Sequence, residues 1–323
     1  MSGPLRRIAV LTSGGDAPGM NAAVRSVTRT ALSGGITVVA VERGFEGLLE
    51  GRFRELAVGD VGGILDRGGT FLGTSRSERF ETEIGIAEAV EVLHNKQIDG
   101  LVIVGGDGSF RGAEALHAAG MCVVGVPGTI DNDVAGTDTS IGFDTALNTI
   151  CDAVGKVRDT ASSHERTFVI EVMGRSCGIL ATYAGLACGA DCILVPEVEW
   201  CIEDVWEQML SGVRRGKKHS IIVLAEGAGH AFGVAQDLSD LSGHNVRTVV
   251  LGHVQRGGSP SAFDRILASR MGAAAVQSLM AGRSGIAVGL RGNQVETYPL
   301  AEAYEGQHAL RREIYDLASV MAQ

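Results

Sequence analysis

The chain reads as an α/β fold with parallel sheet flanked by helices on both faces, and it is long enough to form two lobes. Three observations predict it. Short apolar runs alternate with helix-type stretches along the whole length. Many of those runs end in glycine or an acidic residue. The composition has 46 glycines and only 5% aromatics in 323 residues, which suits close α/β turns better than a β-sandwich.

The elements follow in order. Ile8–Thr12 is a β-type run that breaks into a glycine turn, and the alanine-rich stretch Ala22–Leu32 reads as the helix after it. Thr37–Val41 is the next strand and Ile84–Asn95 a helix. Leu101–Val104 and Val123–Val126 are β-branched strands, each closed by glycine or proline. Ala146–Arg158 is helical, Phe168–Val172 and Cys192–Val195 are strands, and Ile202–Arg214 is a helix. Ser220–Leu224 and Thr248–Leu251 are strands, and Arg265–Ala281 is the last long helix. No repeat or low-complexity tract interrupts this rhythm.

The formal charge of −10 argues against a general nucleic-acid or membrane surface, so an anionic substrate must be met by local arginines. None of the six cysteines forms a C-x-x-C pair. They read as small buried thiols of a reducing compartment. No signal peptide is read in residues 1–7, and no apolar run approaches the roughly 20 residues that span a bilayer. The expectation is a soluble cytoplasmic protein.

Five motifs carry chemistry. Thr12-Ser13-Gly14-Gly15-Asp16 is a strand-to-helix turn whose backbone N–H groups can face a phosphate; a ligand-free tight turn is the alternative. It is not a Walker A loop, because no Gly-Lys-Ser/Thr follows. In Gly105-Gly106-Asp107-Gly108-Ser109, glycines allow close approach of a polyphosphate and Asp107 can hold magnesium; a structural turn is again open. Thr129-Ile130-Asp131-Asn132-Asp133, read as extended, turns Thr129, Asp131 and Asp133 to one face. Asp131 can then take a hydroxyl proton and Asp133 support a metal, against an Asx-turn reading. Arg175, after Glu171-Val172-Met173-Gly174, can offset charge on a transferring phosphoryl group. His253 and Arg256, in Gly252-His253-Val254-Gln255-Arg256-Gly257-Gly258, suit a sugar-phosphate clamp, with Arg247 upstream. Together the motifs point to phosphoryl transfer to an alcohol.

In this order the motifs resemble the bacterial ATP-dependent 6-phosphofructokinases, most specifically through Pro127–Asp133 and Gly252–Pro260. The resemblance implies a glycolytic kinase and a homotetramer, built of two Rossmann-like lobes, each a mostly parallel sheet flanked by helices, with the active site in the cleft between them: an ATP-binding lobe at 1–142 plus 255–305 and a fructose 6-phosphate lobe at 143–254 plus 306–323. It assigns Asp131 as base, with Arg175 and Thr129 at the transferring phosphoryl. Gly14, Arg76 and Gly105–Ser109 would contact the nucleotide, and Asp107 and Asp133 would hold Mg2+. Met173, Gly174, Glu226, His253 and Arg256 would form the sugar pocket, joined by Arg166 and Arg247 from a neighbouring subunit.

The resemblance also implies a site for ADP or phosphoenolpyruvate as effectors. It falls on Arg25, Arg29, Arg52, Arg158, Arg215, Lys217, Lys218 and His219, with Asp191 aiding a metal. Pyrophosphate-dependent relatives carry aspartate and lysine at Gly108 and Gly128, so both glycines favour ATP here. Glu42, Ser77 and Arg111 reduce the stacking surface for adenine and suggest relaxed base selectivity. A pyrophosphate-dependent enzyme, or a silent nucleotide or sugar-phosphate sensor, is the alternative.

Overall fold

The computed structural model describes residues 5–75, 77–306 and 310–322. It divides into two compact units. The first comprises the described parts of Met1–Thr145 and Arg256–His308; the second comprises those of Ala146–Gln255 and Ala309–Gln323.

The first unit opens with β1 (Arg7–Thr12), α1 (Met20–Ser33), β2 (Thr37–Val41), α2 (Gly44–Leu49) and β3 (Phe53–Leu56). It continues through α3 (Glu83–Asn95), β4 (Gly100–Gly105), α4 (Asp107–Ala118) and β5 (Val123–Pro127). Helix α5 (Phe143–His164) carries the chain out of it. The second unit holds β6 (Thr167–Val172), α6 (Ile179–Cys188), β7 (Cys192–Leu194), α7 (Ile202–Arg214), β8 (Ser220–Ala225), α8 (Ala231–Ser242) and β9 (Val246–Val250). A 3-10 turn at Gly252–Arg256 leads back to α9 (Ala262–Met280), β10 (Ile286–Arg291), β11 (Gln294–Pro299) and α10 (Leu300–Glu305). Helix α11 (Arg312–Met321) returns to the second unit.

The first sheet has seven strands in the order β11-β10-β5-β4-β1-β2-β3. Its five inner strands are parallel, and β3 and β11 close the two edges antiparallel. Strands β4 and β5 are buried along their whole length, as β-branched strands covered on both faces should be. The second sheet, β7-β8-β6-β9, is parallel throughout, with β8 wholly buried and β9 a half-exposed edge.

Three features differ from the sequence reading. Strands β3, β10 and β11 add to the first sheet. The last strand of the second sheet starts at Val246, two residues before the apolar run, because its first residues pair with Thr167 and Phe168 of β6. The Gly105–Ser109 turn passes at Asp107 directly into a helix. Among the described residues no helix is long and apolar enough to cross a membrane.

Candidate active site

In an open parallel sheet, a crevice forms outside the carboxyl ends of the strands where successive connections leave to opposite faces. In the first unit that point lies between β1 and β4, since the order runs outward to β2 from one and to β5 from the other. The loops at residues 13–16, 105–109 and 128–133 leave β1, β4 and β5 there. They are tied together: Ser13 N–H donates to Val104 O at 2.9 Å and Gly128 N–H to Gly105 O at 2.9 Å. Thr74 Oγ1 donates to Gly14 O at 2.8 Å. Gly105 cannot carry a side chain, because a Cβ there would overlap Ser109 and lie 2.6 Å from Ser13 O.

Helix α4 begins at Asp107 with Gly106 as its N-cap and no side chain capping it. Its N-terminus, the positive end of the helix dipole, suits an anion, while Ser109 N–H closes back on Gly106 O at 3.0 Å. Ser109 Oγ is buried there with no hydrogen-bond partner among the described residues. A Cβ built at Gly108 meets nothing within 4 Å. This geometry suits phosphate oxygens. Gly128 does not share in it. A Cβ there would press on Val104 Cγ1 at 3.1 Å and Met20 Cε at 3.3 Å, both core groups. Gly108 therefore leaves open space, whereas at Gly128 it is core packing that excludes bulk.

Asp131 is 4% exposed on the third loop. The loop is not extended as the motif suggested. Asn132 sits in the left-handed region at φ +54°, which ends strict alternation before Asp133. Its side chain fixes the bend: Oδ1 accepts from Ser140 N–H at 2.8 Å, and Nδ2 donates to Asp138 O at 3.3 Å. Ser140 Oγ donates to Thr129 O at 2.7 Å, and Thr129 Oγ1 accepts from Asp131 N–H at 3.2 Å.

The far end of this loop is held by Asp264, which is fully buried in α9. It accepts from Gly142 N–H, Thr145 N–H and Thr145 Oγ1 at 2.9, 2.9 and 2.5 Å. Burial pushes its carboxyl above the usual 3.8, partly offset by these bonds. Sequence reasoning missed Asn132, Ser140 and Asp264. Asp264 had a local signal, the capping pattern Ser261-x-x-Asp264, in which Ser261 Oγ accepts from Asp264 N–H at 3.2 Å, and Asn132 had the Asx-turn reading of its motif.

Arg256 belongs to the first unit. Its guanidinium lies against Gly15 and 4.0 Å from Asp16 Oδ1, and its buried Nε has no partner among the described residues. Arg76 lies outside the described residues. Among the three base-side substitutions, Glu42 accepts from Arg54 Nε at 2.9 Å, and Arg111 stacks 4.7 Å over Tyr304. Ser77 Oγ accepts from Phe80 N–H at 3.2 Å.

The second unit gathers another set at the carboxyl ends of β6 and β8. Gly174 (φ +139°) and Arg175 (φ +54°) form a tight turn after β6. Glu226 Oε1 accepts from both of their N–H groups, at 3.2 and 2.8 Å. Gln255, fully buried, accepts from Met173 N–H at 3.2 Å and donates to Gly252 O at 2.9 Å. It thereby ties the 252–256 turn to Met173, another role the sequence did not reveal. Arg175 and His253 are exposed. Met173, Gly174, Arg175 and Glu226 are thus brought together.

Arg166 and Arg247 are not. Arg247 pairs with Phe168 in the register of β6 and β9, and Arg166 precedes β6. At about 3.3 Å per residue, Arg247 sits roughly 13 Å down the strand from the level of Val172.

The effector candidates divide between the units. Arg25 and Arg29 lie on α1, and the buried Nε of Arg25 has no partner among the described residues. Arg52 pairs with Glu50. In the second unit Arg158 donates to the carbonyls of Cys188 and Gly189. Lys217 Nζ donates to Asp191 Oδ1 at 2.6 Å, and Asp191 Oδ2 accepts from Ile221 N–H at 2.8 Å. Asp191 is therefore the counter-ion of Lys217, and binding a metal would cost it these bonds. Arg215 donates to Ser211 Oγ and Lys218 to Glu165, while His219 is half-buried.

No group of three or more His, Cys, Asp or Glu that could hold a metal occurs among the described residues. Asp107 and Asp133 carry hard carboxylate oxygens of the kind a magnesium ion takes.

A family model described as phosphofructokinase matches residues 7–279. The chain is 53% identical over 318 residues to a protein of Listeria welshimeri named ATP-dependent 6-phosphofructokinase, covering 98% of this chain and 100% of that one. It is 52% identical to a Brevibacillus brevis protein of the same name, with the same coverage. The solved phosphofructokinase of Saccharomyces cerevisiae matches at TM-score 0.87 and 38% identity, over 98% of this chain and 48% of that one. A pyrophosphate-dependent phosphofructokinase of Marinobacter aquaeolei shares the fold at TM-score 0.85 and 24% identity, over 97% of this chain and 91% of that one.

Proposed function

This chain belongs to the phosphofructokinase family, and from that premise we propose that it transfers the terminal phosphoryl group of ATP to the 1-hydroxyl of fructose 6-phosphate. The observation that carries this reading is the junction of β1 and β4. There a buried carboxylate, Asp131, shares one crevice with an uncapped helix N-terminus and the glycine loops.

Donor roles fall to the first unit. The backbone of Gly14 and of the Gly105–Ser109 turn receives the phosphates, and Ser109 Oγ completes the cradle. Asp107 and Asp133 would hold Mg2+, which when bound offsets phosphate charge. Asp131 takes the proton of the attacking hydroxyl, held in place by Thr129, Asn132 and Ser140. Acceptor and transition-state roles fall to the second unit. Met173, Gly174 and His253 line the sugar side. Glu226 fixes the turn that presents Arg175 to charge on the moving phosphoryl.

Arg256, whose Nε has no partner among the described residues, supplies cationic charge to a phosphate. Arg166 and Arg247 serve the site of a neighbouring copy in a homotetramer. ADP or phosphoenolpyruvate act at Arg25, Arg29, Arg52, Arg158, Arg215, Lys217, Lys218 and His219. The reaction is placed in cytoplasmic glycolysis.

Two measurements test this. Product is formed from fructose 6-phosphate and magnesium with ATP as sole donor and not with pyrophosphate, because Gly108 leaves room for a nucleotide; turnover with pyrophosphate would overturn the donor assignment. Asp131→Ser lowers kcat by about 10³-fold while fructose 6-phosphate still binds; a change of only a few-fold removes Asp131 from the role of base.

A further inference from the structure

The last helix of the second unit is lightly held. Helix α11 packs on α6, yet of its ten residues only Ala318 is buried. Leu317, Val320 and Met321 are exposed. Its inner side, at Tyr315, Ala318 and Ser319, borders a cavity of about 160 Å3 shared with β7 and α7, so packing there is incomplete. Two side-chain bonds tie it down. Tyr315 Oη donates to Ile193 O of β7 at 3.1 Å. Ala322, the C-cap residue, accepts at its carbonyl from Lys217 Nζ at 3.3 Å. A helix with so little buried surface lies at the low end of local stability.

The same ammonium is paired with Asp191 Oδ1 at 2.6 Å, and the Lys217 side chain is 41% exposed, open to solutes. Asp191 is itself anchored: its Oδ2 accepts from Ile221 N–H at 2.8 Å and its carbonyl from Gln208 Nε2 at 2.6 Å. Lys217 is thus at once an effector candidate and the cap of α11. Arg158 has the same double character. It donates to the carbonyls of Cys188 and Gly189, the last residue and the C-cap of α6. Two of the candidate cations therefore offset the negative ends of two helices that pack on each other.

We propose that α11 is a strap released by anions: a phosphorylated effector that takes Lys217 removes the cap of α11, and a docked α11 weakens binding of that effector. This rests on the assignment of Lys217 to the effector site. An ammonium has three N–H donors, and two of them are committed here. Bonds from an ammonium to phosphate oxygens are charge-assisted on both sides and roughly twice as strong as neutral ones. Asp191 is charged and anchored, so the neutral carbonyl of Ala322 is the acceptor given up. The helix then loses one of its two ties, and its last turn opens. Linkage makes the effect reciprocal: loosening α11 by other means strengthens binding of the anion.

Hydrogen–deuterium exchange of residues 312–322 in the intact enzyme tests this, with phosphoenolpyruvate as the probe. Phosphoenolpyruvate is neither substrate nor product of the proposed reaction, so its effect is separate from turnover. In the parent, saturating probe should speed exchange of this segment about fivefold, the worth of one net hydrogen bond, and leave the wholly buried β8 unchanged. Lys217→Met keeps the aliphatic stem and removes the cap. Its α11 should exchange at the faster rate without any anion, and the probe should add nothing. Tyr315→Phe removes the tie to Ile193 and leaves Lys217 in place. It should bind phosphoenolpyruvate a few-fold more tightly, with kcat unchanged in the absence of the probe. Thermal melting checks that both variants are folded. Parental exchange of α11 in Lys217→Met would overturn the strap, whatever the probe does to the parent. A loosened α11 in Lys217→Met beside a parent that does not bind the probe would overturn the effector assignment, and release by anions with it. Parental or weaker affinity in Tyr315→Phe would overturn the reciprocal coupling.

Discussion

Gly227→Ala tests how tightly the Arg175 turn is built. A Cβ at position 227 would lie 2.3 Å from the carbonyl oxygen of Arg175 and 3.2 Å from Ser176 Cα. Ordinary contact begins near 3.4 Å, so the turn must retreat by about 1 Å. The neighbour is backbone and cannot rotate away. Arg175 N–H already reaches Glu226 Oε1 at 2.8 Å, and a shift of that size breaks the bond. Misplacing a catalytic group by about 1 Å costs on the order of 10²-fold in rate, or about 2.7 kcal/mol of barrier.

Steady-state assays with ATP and fructose 6-phosphate should therefore show kcat lowered about 100-fold. The KM for ATP should be unchanged, because the donor loops belong to the first unit. Overpacking should lower stability by about 1–3 kcal/mol. Gly233→Ala, on α8, is the control: a Cβ there meets nothing within 4 Å. It should leave kcat untouched and add up to about 1 kcal/mol of stability. A folded Gly227→Ala enzyme with kcat within about threefold of the parent would refute the claim that this turn positions Arg175.

Two further substitutions probe the first unit. Gly108→Asp should fold, since the position is open and an acidic residue in the first turn suits α4. Its carboxylate would stand beside Asp107 where phosphates bind, raising the KM for ATP about tenfold or more, with the KM for fructose 6-phosphate unmoved. Equal changes in both constants would count against the α4 phosphate cradle. Asp264→Ala leaves the N–H groups of Gly142 and Thr145 without their acceptor and should cost about 3 kcal/mol in urea unfolding. Because the folded carboxyl holds its proton more tightly than the unfolded one, its titration adds stability that is fully present below pH 3.8 and lost as pH rises through the raised folded value. The gap between parent and variant should narrow across that window, and a widening gap would contradict the burial argument.

The sequence made the inner strands legible because a strand covered on both faces must be a continuous apolar run. β1, β4, β5 and β8 are such runs, and their buried patterns explain them. The edge strand β3, Phe-Arg-Glu-Leu, hides for the opposite reason: half of it faces solvent, so nothing selects an apolar run. β11 alternates more and less buried residues on a two-stranded antiparallel ribbon with β10, and its polar members mask it. The glycine loops were legible because backbone demands are local. The supports of the site were not. Gln255 meets Met173 across 82 residues, Glu226 meets Arg175 across 51, and Asp264 meets Thr145 across 119. Each is a polar side chain whose role exists only after distant elements have packed; the Ser261-x-x-Asp264 spacing announces a helix start and not the contact with Thr145. Asn132 is the intermediate case: an Asx-type bend was readable, but not that it would end the alternation carrying Asp133.

The strand register leads to the sharpest test of assembly. Arg175 leaves the carboxyl end of β6, whereas Arg247 is paired near its amino end with Phe168. A separation of roughly 13 Å along rigid, hydrogen-bonded strands exceeds what one arginine side chain spans. If Arg247 binds sugar phosphate, it must do so for another copy. A mixture of two defective chains distinguishes the cases. Asp131→Ser lacks the base but offers an intact Arg247; Arg247→Ser keeps the base and lacks the arginine. Unfolded together and refolded as mixed oligomers, they would form sites that take Asp131 from one chain and Arg247 from its neighbour. With random pairing of equal amounts, about a quarter of sites would be complete, with the parental KM for fructose 6-phosphate. If Arg247 instead served its own chain, no mixture could contain a complete site, and the activity would be the average of the two mutants. That outcome would refute sharing and require the β6–β9 edge to distort when substrate binds.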